Sequence, residues 1–100
     1  MAGFVEESLK PKGYQQIVSA TLAAATALTV PAAATNSTAA RLALIIVEGA
    51  AVRWRDDGTD PTAAVGMLMQ AGENIWYNGD IHTIKFIRTI AGSIINVSYY

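Results

Sequence analysis

The sequence predicts an all-β fold, a single-domain, jelly-roll-like β-sandwich of about eight strands with an extended N-terminal arm. From Gly13 onward, runs rich in β-branched and aromatic residues alternate with turn residues at short spacings, as in sandwiches and barrels. One hundred residues make one domain. We place the arm at 1–13 and the sandwich at 14–100. The predicted strands span 13–22, 27–31, 41–49, 50–57, 64–70, 73–80, 82–90 and 93–100.

The first two strands are separated from the third by a loop. Pro31 stops the short strand ALTVP, and PAAATNST (31–38) has no periodicity. Period-two spacing in GYQQIVSATL (13–22) places one set of alternate side chains on a common face: Tyr14, Gln16, Val18, Ala20 and Leu22.

The third and fourth strands differ in pattern. RLALIIVEG (41–49) is almost continuously apolar, which predicts a central strand covered on both faces. AAVRWRDD (50–57) alternates, with Val52 and Trp54 on one side and Arg53 and Arg55 on the other.

Turn residues delimit the last four strands. AVGMLMQ (64–70) groups Val65, Met67 and Met69 before an Ala71-Gly72 turn. ENIWYNGD (73–80) ends in Asn78-Gly79-Asp80, which predicts a tight turn. HTIKFIRTI (82–90) is followed by an Ala91-Gly92-Ser93 turn. In the last strand, SIINVSYY (93–100), Ile95, Val97 and Tyr99 share one face.

A helix through 18–28 or 39–51 is the alternative, because alanine favours helices. Both segments contain several β-branched residues, among them Thr26, Val30 and Ile46. Such residues favour strands, so we prefer the all-β interpretation.

The composition favours an oligomer or a component of an assembly. Hydrophobic residues make up 52% of the chain and charged residues 15%, with a formal net charge of −1. A small core cannot hide that much apolar surface unless a partner covers part of it. The charge balance argues against nucleic-acid binding. The absence of cysteine excludes disulfides and thiolate chemistry.

The sequence does not favour a membrane or exported protein. The longest apolar run, 39–47, contains Arg41 and is far shorter than the roughly 20 residues that cross a bilayer. The acidic N-terminal segment lacks the pattern of a signal peptide.

The most charged stretch is RWRDDGTDPTA (53–63). Its spacing does not match an EF-hand loop. Asp57-Gly58 suits a hairpin turn and Asp60-Pro61 an extended exit. Arg53 and Arg55 lie within reach of Asp56, Asp57 or Asp60. A solvated loop with local ion pairs is the favoured interpretation, and a loose calcium site and a partner-binding loop remain open.

No motif predicts catalysis or a cofactor. His82 is the only histidine and has no nucleophile or metal-ligand partner at a recognisable spacing. Asn36-Ser37-Thr38 matches a glycosylation acceptor, which we attribute to chance without a signal peptide, and no phosphate-binding glycine motif is present. We therefore expect a protein that is not an enzyme and binds no metal or cofactor.

The aromatic residues predict core positions and contacts with partners. Trp76 and Tyr77 are consecutive in a strand, so they face opposite ways and one of them lies outside the core. Ile94 and Tyr100 fall opposite the Ile95 row, so a neighbour would cover the second face of the last strand. An arm lying on a neighbouring subunit would use Phe4, Val5 and Leu9, and the clasp would extend over 2–14. The candidate interface residues are therefore Phe4, Val5, Leu9, Tyr14, Trp76, Tyr77, Ile94 and Tyr100.

Residues 28–100 contain a series of short segments in a characteristic order. They are LTVPAAATNSTAARLALIIVEG (28–49), VRWRDDG (52–58), PTAAVG (61–66), the Ala71-Gly72 turn, IWY (75–77), Gly79-Asp80, IKFI (84–87) and NVSYY (96–100). In this order they resemble a family of small proteins encoded in the genomes of tailed bacteriophages and prophages. The resemblance implies a virion component and supplies no catalytic residues.

From the resemblance and the composition we expect a capsid decoration or cement protein, assembled into virions in the bacterial cytoplasm. Its partners would be the major capsid protein and copies of itself, with a trimer as the guess for the homo-oligomer. The alternative is a tail-fibre or appendage module that binds host carbohydrate through Trp76, Tyr77 and Asn78. A cupin-like metalloenzyme is disfavoured, because such a site normally needs several histidines.

Overall fold

The computed structural model describes residues 10–33 and 39–100. In these residues eight strands form two four-stranded antiparallel sheets. The first sheet has the order β1-β8-β3-β6 and the second has the order β2-β7-β4-β5. The strands are β1 (Gly13–Ile17), β2 (Thr26–Ala27), β3 (Ala43–Glu48), β4 (Val52–Arg55), β5 (Met67–Met69), β6 (Asn74–Tyr77), β7 (Lys85–Arg88) and β8 (Ile94–Tyr99).

The strand pairing is that of a jelly roll. β1 pairs with β8, β2 with β7, β3 with β6 and β4 with β5. These pairs correspond to one long hairpin whose turn lies between β4 and β5 and which is folded over into two layers. The β3–β8 and β4–β7 pairs then complete the two sheets. The predicted all-β, jelly-roll-like sandwich is confirmed.

The core lies between the two sheets. Phe86 and Tyr99 are its largest fully buried side chains, and burying an aliphatic or aromatic side chain contributes roughly 1.5–3 kcal/mol. As predicted, Ile95, Val97 and Tyr99 share the inward face of β8. The buried set is Ile17, Leu22, Leu28, Ala40, Ala43, Ile45, Val47, Val52, Met69, Ile81, Ile84, Phe86, Ile95, Val97 and Tyr99.

The first strand is shorter than predicted. β1 ends at Ile17, and the Val18 carbonyl accepts hydrogen bonds from the Thr21 and Leu22 amides. This turn leads into a 3₁₀ helix (Thr21–Ala23) that places Leu22 in the core and leaves Val18 exposed. The expectation that Val18 and Leu22 share the face of Tyr14 is therefore wrong, because the strand period ends before them.

The third strand is central, as predicted, but the chain covers only one of its faces. β3 lies between β8 and β6, with Ala43, Ile45 and Val47 buried. Leu44 is half-buried and Ile46 is exposed on the opposite side. The apolar run therefore supplies an inward face to the core and an outward face that nothing in the described chain covers.

Tight connections carry the chain from one sheet to the other. Gly49 has a φ of 83° and lies against the Gly92 carbonyl, so a side chain would not fit there. The Asn78-Gly79-Asp80 segment was expected to form a tight turn. It instead begins a longer crossing from β6 to β7, with the turn itself over 80–83, because the two strands belong to different sheets.

The strand predicted over 64–70 begins only at Met67. The Thr62 amide donates to the Val65 carbonyl and the Thr62 hydroxyl accepts from the Val65 amide. This turn keeps Val65 outside the sheet and exposed.

The described residues contain no α-helix, and their only helical turn is the 3₁₀ turn after β1. The alternative helices at 18–28 and 39–51 are therefore not observed in the described parts of those segments. No described helix has the length and hydropathy needed to span a membrane.

Candidate attachment surface on the first sheet

The outer face of the first sheet combines aromatic, aliphatic and amide side chains in one exposed surface. Its strands alternate between buried and more exposed positions. We define this outer face by the outward-pointing residues Tyr14, Gln16, Leu44, Ile46, Glu48, Asn74, Trp76, Ile94, Asn96 and Ser98, together with Tyr100 at the end of β8.

Strand register arranges these side chains in rows across the sheet. One row runs Tyr14, Ser98, Leu44, Trp76, so its two aromatic residues lie about 14 Å apart, three strand spacings. Trp76 is 51% exposed and Tyr14 is 66% exposed. The rings of Trp76 and Tyr100 are 5.3 Å apart between centroids and inclined at 43°, an arrangement in which each ring supports the other.

The adjacent row runs Gln16, Asn96, Ile46, Asn74 and contains a small amide network. The Tyr14 hydroxyl donates to Asn96 Oδ1 at 2.5 Å, and Gln16 Nε2 donates to the same oxygen at 3.0 Å. These bonds join β1 to β8 on the outside of the sheet. They also hold the Tyr14 ring in place, which reduces the entropy that a partner would have to remove on binding.

Charge is distributed unequally between the two sheets. Glu48, at the margin, is the only charged residue in the described strands of the first sheet. The strands of the second sheet carry Arg53, Arg55, Lys85 and Arg88. The strands of the first sheet are therefore nearly free of charge, whereas those of the second sheet carry four cations.

The structure brings together four of the residues predicted for an interface. Tyr14, Trp76, Ile94 and Tyr100 all belong to the outer face of the first sheet. Phe4, Val5 and Leu9 lie outside the described residues.

Tyr77 points to the other side of its strand and packs against the core. Its ring meets Trp54 edge-on with 6.1 Å between centroids, and its hydroxyl donates to Asp56 Oδ2 at 2.6 Å. Burial, followed by the bond to Asp56, raises the pKa of Tyr77 to about 12. Of the consecutive pair, Trp76 is the outward residue and Tyr77 makes its contacts within the chain.

Sequence reasoning missed the residues between the aromatic positions. Leu44 and Ile46 were assigned to a strand buried on both sides, because a continuous apolar run does not reveal which face the chain itself covers. Gln16 and Asn96 are 80 positions apart and meet only through the β1–β8 pairing. The period-two pattern of 93–100 could have identified Asn96, because it puts this residue on the same face of the strand as Ile94.

The charged stretch 53–63 comprises the end of β4 and the loop that follows it, and it has local ion pairs, as favoured. Arg55 Nε donates to Asp57 at 3.0 Å and Lys85 pairs with Asp60 at 2.8 Å. The bond to Arg55 lowers the pKa of Asp57. Arg53 instead donates to the carbonyls of Ala63 and Gly66, which holds the loop against the outside of the second sheet.

No catalytic or metal-binding constellation is found in the part of the chain that the structure describes. No three histidine, aspartate or glutamate side chains of the described residues lie close enough together to hold a metal ion. His82 is exposed, and its amide donates to Asp80 Oδ1. Hydrogen bonds, first from the Thr83 hydroxyl and then from the His82 amide, lower the pKa of Asp80.

Two open grooves border the exposed side of β5. One, of about 410 Å³, is lined by Arg55, Asp56, Asp57, Val65, Gly66 and Met67. The other, of about 310 Å³, contains Trp54, Met69 and Ile75 among its lining residues. Both are lined mainly by apolar surface, and in the first groove Arg55 and Asp57 are paired with each other.

No protein-family model, curated protein or solved structure matches this chain.

Proposed function

We propose that this protein is a structural component of a tailed-bacteriophage virion, a capsid decoration or cement protein that binds the capsid surface and stabilises it. The main support is the outer face of the first sheet, where exposed aromatic and aliphatic side chains occur with a single marginal charge among the described strands. Depletion of charge with enrichment of aromatic residues is the composition of an interface core. The sequence resemblance to phage structural proteins points to the same function.

The aliphatic residues of the face favour a protein partner. Leu44, Ile46 and Ile94 lie among the aromatic residues, and Ile46 is 40% exposed. Contact with an apolar protein surface would bury these side chains and stabilise the complex by roughly 25 cal/mol for each Å² of apolar surface removed from water. In this proposal the major capsid protein supplies that surface, and the second sheet, whose strands carry four cations, faces outward.

The size of the face favours binding through several copies. Its four strands have four to six residues each and give a projected area of roughly 350 Å², less than half of the roughly 800 Å² that each partner buries in a standard interface. A homo-oligomer, with a trimer as the working model, would multiply the contact through effective concentration. The N-terminal arm, with Phe4, Val5 and Leu9, would add contact area.

The test is binding to purified capsids that lack this protein. Trp76→Ala should weaken binding on the order of 30-fold, since truncating a hot-spot tryptophan costs about 2 kcal/mol. Met67→Ala is the matched control, because Met67 is similarly exposed at 59% but lies on the second sheet. Occupancy would be measured against protein concentration, with folding checked by circular dichroism. Equal occupancy for both variants and the wild type would rule out this face.

The same capsid assay tests the arm. Deleting residues 1–9 spares the Lys12 amide, which donates to the Tyr99 carbonyl at the end of the first sheet. We expect lower occupancy with an unchanged unfolding midpoint. Unchanged occupancy would refute a clasp function for the arm.

A second candidate function is binding of host carbohydrate by a tail-fibre or appendage module. The Trp76–Tyr100 ring pair, with the exposed amide of Asn74 two residues away on β6, favours it. Tyr77, one of the residues expected for this role, faces the core and not this platform. Glycan-array binding by the isolated protein, together with absence from capsids, would favour this candidate.

A further inference from the structure

The side-chain amide of Asn96 lies on the outer face, and hydrogen bonds from the neighbouring strand β1 fix its orientation. Its Oδ1 accepts two hydrogen bonds, and both donors, Tyr14 and Gln16, come from β1. An amide carries its acceptor and its donors at opposite ends of one plane. With Oδ1 held by β1, the Nδ2 group is directed away from that strand.

The Nδ2 donors of Asn96 remain available to a partner. Among the described residues, none accepts a hydrogen bond from this nitrogen. Every buried side-chain nitrogen or oxygen of the described chain has a hydrogen-bond partner, so Nδ2 is reached by solvent. The face thus presents an oriented donor between the aromatic residue Tyr14 and the aliphatic residue Ile46.

We infer that the protein surface bound by this face offers a free main-chain carbonyl to Asn96 Nδ2, as at a loop or a strand edge; the inference rests on the proposed function. A carboxylate acceptor is disfavoured. The described strands of the first sheet contain no cation to compensate a buried anion, and Glu48 at the margin would repel one. A neutral carbonyl satisfies the donor without that penalty.

Asn96 then determines specificity more than affinity. A neutral interface hydrogen bond gains little over water, whereas a donor buried without an acceptor costs its full desolvation. Surfaces that are equally apolar but lack a carbonyl at this point are rejected.

The test compares Asn96→Asp with Asn74→Asp in the capsid titration. Both variants place one negative charge in the same row of the face, and Asn74 makes no side-chain hydrogen bond within the described chain. In Asn96→Asp the new carboxylate still accepts from Tyr14 and Gln16 but donates nothing. We expect similar unfolding midpoints, and capsid binding at least tenfold weaker for Asn96→Asp than for Asn74→Asp.

The outcomes separate the two proposals. Wild-type protein that does not bind capsids would refute the proposed function itself. If the wild type binds and the two variants lose affinity equally, the loss is due to the added charge alone. If the wild type binds and neither variant loses affinity, this row of residues does not contribute to binding. Either result overturns the inference about Asn96. If the wild type instead binds neutral glycans and Asn96→Asp abolishes that binding, the partner class is wrong.

Discussion

Tyr77 connects the first sheet to the charged loop that follows β4. Its ring packs against Trp54, and its hydroxyl donates to Asp56. The ring position of Tyr77 requires glycine at position 79, because a Cβ there would overlap the Tyr77 hydroxyl. One side chain thus contributes to the core, the loop and the crossing to β7.

Replacing this tyrosine separates the hydrogen bond from the packing. Tyr77→Phe keeps the ring and should lower the free energy of unfolding by about 1.5 kcal/mol, the lower limit for a bond to a charged acceptor. Chemical denaturation at neutral pH measures this. No change would mean that Asp56 is fully satisfied by water.

The same residue gives a pH dependence with a defined sign. The pKa of Tyr77 is raised to about 12 by burial and Asp56, and that of Tyr99 to about 12 by burial, against an ordinary value near 10. The folded state therefore holds protons that the unfolded state has lost, and stability should fall as pH rises from about 10 to about 12. Tyr77→Phe should flatten part of this fall, and an equal slope in the variant would contradict the shift at Tyr77.

At the level of elements, short crossings between sheets define the jelly roll. The chain passes from β3 to β4 through only three residues, and Ala50 donates to the Glu48 carbonyl across Gly49. On the opposing crossing, the buried Ser93 hydroxyl donates to the Ala51 carbonyl. These two connections pack against each other, which is why no Cβ fits at Gly49.

Alanine substitutions at two glycines test this packing. Gly49→Ala should lower the free energy of unfolding by about 3 kcal/mol or more, because contact with the Gly92 carbonyl adds to a left-handed strain of roughly 1–2 kcal/mol. Gly58→Ala is the control, since Gly58 has a similar φ of 88° with open space around it; it should show the strain alone. Equal losses in urea denaturation would mean that the crossings move apart easily.

For the whole molecule, the separation of charge between the two sheets predicts how the proposed attachment to capsids depends on salt. A contact made by the nearly uncharged face should change little between about 0.1 and 1 M salt, over which the Debye length falls from about 10 to about 3 Å. A contact made by the arginine-bearing second sheet would weaken strongly. Capsid occupancy across this range distinguishes the two, and a tenfold loss of affinity would indicate that the second sheet binds.

The sequence by itself determined the fold class and the approximate position of seven of the eight strands, because hydrophobic period and turn residues are local properties. The second strand, predicted over 27–31, is Thr26–Ala27 and shares only Ala27 with the prediction. It also assigned Trp76 and Tyr77, and likewise Val52 and Arg53, to opposite faces of their strands, because side chains alternate along a strand whatever its partner strand is. The ends of β1 and β5 were misjudged, because local turns at Val18 and Thr62 interrupt patterns that continue in the sequence.

Only the tertiary structure decided which apolar faces remain uncovered. Leu44 and Ile45 are both apolar, so the sequence does not distinguish them. A chain of this size forms one core between its two sheets, and the pairing of β3 with β8 and β6 points Ile45 into that core. The β1–β8 pairing likewise brings Gln16 and Asn96 together from opposite ends of the chain. The outer face is therefore a product of strand register, which depends on contacts between segments that the linear pattern does not relate.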